Sequence, residues 1–195
     1  MFTVAPHRSP RMFPARARAA RLSAAVGGAA ALLTAATGCG GLIPGTNGEV
    51  SADINVTSTM VKEGEPLPET YTCEGEGVSP PLQWSGLPED AESLAVVVDD
   101  PSSTTVHWVL YGLDPQLAEI RQNSVPQPGR TGRNSEGAAE YAPPCPRESH
   151  GHAVRFTVYA LNGEIDLGDD APLQDSLEAI AQRTIARGTL TATGE

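Results

Sequence analysis

The 195-residue chain has four histidines, and only His107, His150 and His152 lie beyond its first 40 residues. His107 and His152 stand where strands should begin, and Asp99-Asp100-Pro101 stands where one should end. His107 lies seven residues beyond Asp100. If the flanking strands pair across that short loop, carboxylate and imidazole share one end of a sheet. One Asp and two His support three chemistries. His150-x-His152 puts two imidazoles on one face of an extended segment, where His107 could complete a zinc-type set. An Asp–His pair could activate water or a hydroxyl. Imidazole or imidazolium N–H groups could hold a phosphate while Asp100 orients one ring and raises its pKa. A single strand histidine is ordinarily a satisfied structural residue, and spacing alone does not choose among the three. A nucleophile motif is lacking: there is no G-x-S-x-G, and Ser102 and Ser103 have no strand–turn–helix context. No Gly-rich phosphate loop precedes a helix.

The elements that must position these residues read as mostly β. Asp53–Val61 alternates as a first strand, and Leu94–Val98 is an apolar run too short for a helix. Val106–Leu113 and Val154–Leu161 alternate as two further strands. Asp169 and Asp170 predict the N-terminus of a helix with Pro172 in its first turn. Leu173, Leu177, Ile180 and Thr184 would form its buried face and Gly188 its stop. Thr189–Thr193 would be a closing strand. Pro/Gly-rich stretches at 64–81 and 122–151 separate these elements, and a loop as long as the second is usually functional.

The front of the chain belongs to export. Arg8, Arg11, Arg16, Arg18 and Arg21 precede an uncharged run from Leu22 to Thr37. That run is shorter than the roughly 20 residues a membrane span needs but suits a signal peptide over 1–38. Ala36-Thr37-Gly38-Cys39 resembles a bacterial lipobox, which would make Cys39 the acylated N-terminus; plain secretion is the alternative. Residues 39–50 read as a linker and 51–195 as one domain. The whole chain carries −11. Without the five leader arginines, eight basic residues face 24 acidic ones, a net charge near −16. Such a surface repels nucleic acid and anionic headgroups, so attachment to a membrane would need acyl chains. Cys73 and Cys145 remain as an even pair in an oxidising compartment, a candidate disulfide, with two free buried thiols as the alternative.

Five segments occur in an order that resembles the bacterial branch of the phosphatidylethanolamine-binding protein family, the Raf-kinase-inhibitor-like proteins. They are Thr72–Trp84, Val97–Pro101, His107–Tyr111, Tyr141–Pro146, and Gly151-His152 with Arg155–Leu161. The resemblance implies packed β-sheets with one or two peripheral helices. It also implies a small pocket for a phosphate-like anion or phospholipid headgroup. Carried over by position, that pocket would use Asp100, Pro101, His107 and His152, with Pro144 and Pro146 in its wall. No cofactor, metal or catalytic residue is implied. Ser102-Ser103-Thr104 stands where the family has Asp-x-Pro, and His152-Ala153-Val154 where it has His-Arg-Tyr, so headgroup preference should differ. The reading is a non-enzymatic lipoprotein on the outer face of the cytoplasmic membrane. Its alternatives are an inhibitor of an extracellular hydrolase or signalling partner acting through 122–151, and an Asp/His-dependent hydrolase.

Overall fold

The computed structural model describes residues 54–145 and 153–194. Among the described residues, eight strands form two antiparallel sheets, and one α-helix lies between the last two strands of the chain. In chain order they are β1 (Asn55–Thr57), β2 (Leu82–Ser85), β3 (Ser93–Asp100), β4 (Thr105–Leu113), β5 (Glu119–Ile120), β6 (Arg130–Gly132), β7 (Ala153–Leu161), α1 (Leu173–Arg183) and β8 (Thr184–Thr193). The small sheet has the order β1-β2-β5 and the large one β6-β4-β3-β7-β8.

The apolar run around Leu94–Val98 explains why β3 is central. Leu94, Val96 and Val98 join Trp108, Leu110, Phe156 and Val158 in a core shared with Ile54, Val56, Leu82, Trp84 and Ile120 of the small-sheet side. Ala95 and Val97 face a second cluster, which Ile180 of α1 closes together with Leu173 and Leu177. A strand buried on both faces needs no alternation, and this one has none. β3 and β4 pair antiparallel with Asp100 opposite Thr105, and β3 and β7 pair with Asp99 opposite Arg155. The chain therefore turns at 101–104 and brings Asp100 and His107 to one end of the sheet, as their spacing predicts.

Several expected elements differ. The first strand is only Asn55–Thr57. Ser58 ends it, its Oγ donating to Pro81 O at 2.6 Å and accepting from Met60 N and Val61 N. The carboxylates expected to cap the helix serve other partners. Asp169 Oδ1 accepts from Thr131 N, and Asp170 takes a bidentate pair from Arg133 at 2.9 and 2.8 Å. Pro172 occupies the cap position, without a side-chain bond. Gly188 does not stop the helix. The helix ends at Arg183, β8 begins at once, and Gly188 lies inside that strand, where a Cβ would run into the Ile54 carbonyl. Close backbone approach, rather than helix termination, is what calls for glycine there.

The 122–151 stretch is partly ordered by β6, which pairs with β4 at Tyr111↔Arg130. Residues 64–67 lie beside β8: Gly64 N donates to Thr191 O, Leu67 N to Thr193 O and Thr193 N to Glu65 O. Among the described residues no helix is long and apolar enough to cross a membrane.

Candidate functional site

Asp100 ends β3 with 5% of its surface exposed. A buried carboxylate must be hydrogen-bonded, and the following turn meets that need. Ser102 N and Ser102 Oγ donate to Oδ1 at 2.8 and 2.5 Å, Ser103 N donates to the same oxygen at 3.3 Å, and Ser103 Oγ donates to Oδ2 at 2.9 Å. Thr104 takes a left-handed φ of 58° to complete the turn. The Ser102-Ser103 departure thus supplies donors to Asp100. Pro101 is exposed at the head of this turn.

His107, half-buried at the start of β4, is held by the segment after residue 140. Its Nδ1 donates to Ala142 O at 3.1 Å, and Ala142 N donates to His107 O at 2.9 Å. A carbonyl can only accept, so Nδ1 carries the proton and Nε2 is the ring's remaining polar atom. Burial lowers the His107 pKa below its ordinary 6.5. The Ala142 carbonyl, then the charges of Asp100, Glu136 and Asp99, oppose that shift without cancelling it. Asp100 does act on this ring in the expected direction, but desolvation outweighs it. The neighbouring Asp99 is tied to β7, where Arg155 donates through Nε at 3.0 Å and Nη2 at 2.5 Å. That pair neutralises one of the two adjacent carboxylates.

Pro144 is buried, and its carbonyl accepts from Cys73 N at 3.0 Å. Beside it, Cys73 and Cys145 sit at disulfide distance with Cα atoms 5.2 Å apart. Tyr141 Oη donates to Tyr71 O at 2.9 Å, and the Tyr141 ring meets Trp108 edge-on at 5.8 Å. The 69–77 turn and the 141–145 strap are thus fastened together next to His107. Pro146, His150 and His152 lie outside the described residues, as does Cys39.

Asp100 and His107 thus stand at one end of the β3–β4 pair, as their spacing predicts. That spacing does not identify Arg155, the Ala142 carbonyl or the two serines as their partners. The serines carried a local signal, because hydroxyls two and three residues after an Asp commonly bond its side chain in a turn. Arg155 and Ala142 carried none, being 56 and 35 residues distant from the groups they hold.

Two packed antiparallel sheets, one helix, and an Asp–His pair at the end of the central strands define the class of domain. The chain belongs to the phosphatidylethanolamine-binding protein family, whose model matches residues 57–195. A UPF0098 protein of Methanothermobacter thermautotrophicus is 38% identical over 133 residues, 64% of this chain and 87% of the relative. A Mycobacterium tuberculosis protein named lipoprotein LppC is 36% identical over 146 residues, 73% of this chain and 72% of the relative. Among solved structures, Escherichia coli YbcL, described as a new member of the mammalian family, matches with a TM-score of 0.69 at 28% identity. The Chlamydia trachomatis homolog CT736 gives 0.66 at 32%. Each comparison covers 74% of this chain and 99% of the other.

Proposed function

We propose that this protein is an exported, lipid-anchored binding protein without catalysis of its own, and that its Asp100–His107 site takes a phosphate-type anion such as a phospholipid headgroup. The observation that carries the reading is His107. Its Nδ1 is fixed on Ala142 O, which leaves Nε2 as the ring's remaining polar atom, and the charge of the buried, hydrogen-bonded Asp100 acts on that ring. Pro101, Pro144 and Pro146 form the wall in this reading, and His152 supplies the second imidazole. Family membership and the relative named a lipoprotein support the binding and anchoring halves respectively. Residues 1–38 are then the removed signal, Cys39 the acylated N-terminus, 39–50 the tether, and 51–195 the domain on the outer face of the cytoplasmic membrane.

Anion binding has a proton cost here. Burial and Asp100 both disfavour a negative guest, so His107 must be protonated to attract one. Affinity rises as pH falls through the depressed His107 pKa. Glycerophosphoethanolamine suits the test because its diester charge stays constant across that range. Calorimetric titration of wild type, His107→Ala and His152→Ala at mildly acidic and mildly alkaline pH should show binding strongest for wild type at the acidic value. Each replacement should cost about 1.5–3 kcal/mol, the range for a charge-assisted hydrogen bond. Equal affinities for all three proteins at both pH values would refute the site and move the inhibitor reading to the front. Turnover of a phosphodiester by wild type would favour the hydrolase.

A further inference from the structure

A second cleft, of about 180 Å³, opens under the 122–131 segment, where Thr131 of β6 meets Trp108 of β4 and Ser79. None of Asp100, Pro101, His107 and Pro144 lines it. Three of its lining residues are buried and carry polar side-chain groups. Trp108, Ser79 and Thr131 are 2%, 3% and 9% exposed. Among the described residues, the Trp108 indole N–H, the Ser79 hydroxyl and the Thr131 hydroxyl have no hydrogen-bond partner, whereas Trp84 Nε1 donates to Leu117 O at 2.7 Å. The fully enclosed orphan hydroxyls of the described residues are elsewhere, at Thr157 and Ser176. The three groups therefore keep some contact with solvent, and their residues line this cleft together. A guest that seals this cleft from water must supply partners for these groups, because a buried polar group left unpaired costs about 1–3 kcal/mol.

We propose that this cleft is a separate binding site for a small neutral molecule bearing an amide. The indole N–H can only donate, so the guest must offer an acceptor, and a simple cation has none. The lining contains no Lys, Arg or His, while the Glu140 carboxylate at the cleft has no partner among the described residues. An anion is opposed by Glu140 and gains no countercharge. An amide meets both demands: its carbonyl accepts from Trp108, and its NH₂ donates to Glu140 or a hydroxyl. Val125, 39% exposed, and the Tyr141 ring supply apolar walls. The volume is below the roughly 300 Å³ at which drug-sized pockets begin, so the guest is one ring or one amino-acid-sized group.

Benzamide, benzoate and benzylammonium share one ring and differ in charge, which makes them the probes. The intact protein is labelled with ¹⁵N and the indole N–H resonances of its two tryptophans are followed during titration. Benzamide should move the Trp108 resonance saturably and leave that of Trp84 in place, while benzoate and benzylammonium should move neither. Ser79→Ala and Thr131→Val should each weaken benzamide binding by roughly 2- to 10-fold, the value of one neutral hydrogen bond. An unmoved Trp84 resonance in each variant checks that the fold is kept. A Trp108 resonance unmoved by benzamide overturns the proposal. So does equal binding of benzoate, or unchanged affinity in both variants.

Discussion

At the scale of single residues, His107 illustrates how a strand end is turned into a chemical group. The 107–142 exchange of two hydrogen bonds fixes the ring, and burial sets its proton affinity. Because the folded pKa lies below the unfolded value near 6.5, the folded state binds fewer protons than the unfolded chain around that pH. His107 therefore contributes stability that is fully present above about pH 6.5 and is lost as pH falls through the folded pKa. Ring resonances followed by NMR should give a ligand-free midpoint below 6.5 that rises when glycerophosphoethanolamine is added. A midpoint at or above 6.5 in the free protein would contradict the burial account. The pairing of Asp100 with His107 was readable because His107 lies only seven residues and one short loop beyond Asp100. The sign of the ring's shift was not, because desolvation depends on what the 141–145 strap covers.

At the scale of elements, length decides what a sequence reveals. β3, β4 and β7 run for eight or nine residues and announce themselves by apolar runs or alternation. β2, β5 and β6 span four, two and three residues, too few to carry a period. They exist because a neighbouring strand offers them bonds. Gly188 is instructive in the same way. Its local preference suggests the end of a helix, but its role is set by Ile54, more than 130 residues earlier. Gly188→Ala should push β1 from β8 and destabilise the domain by about 1–3 kcal/mol, the usual cost of overpacking. Thermal unfolding should show a drop of several degrees, and an unchanged melting temperature would mean that β1 does not need this close approach.

At the scale of the whole molecule, the proposed covalent links would do what a surface of this charge cannot. With −11 over the chain, and near −16 over the proposed mature part, electrostatics offers no hold on an anionic bilayer. Wild type should partition into detergent, and Cys39→Ser should stay in the aqueous phase, as expected if acyl chains alone supply the affinity. The Cys73–Cys145 pair, 72 residues apart in sequence, should leave no free thiol at either position when unreduced protein is denatured and labelled. A bridge closing a loop of that length stabilises by about 4 kcal/mol in the chain-entropy model, so reduction should lower the melting temperature by several degrees. The two cysteines beyond Cys39 made this pair readable, but not its place beside the strap that holds His107.

The bonds from residues 64–67 to the end of β8 have a bearing on how copies of the protein meet one another. An open sheet has two edges, and a bare edge invites a neighbour's backbone to add to it. Here one edge is covered along Thr191–Thr193 by the chain's own early segment, and at the other β6 is only three residues long. If acyl chains tether this protein as proposed, its copies on one membrane face collide side-on far more often than molecules free in solution. Short or occupied edges let such a crowd slide past itself without zipping into fibrils.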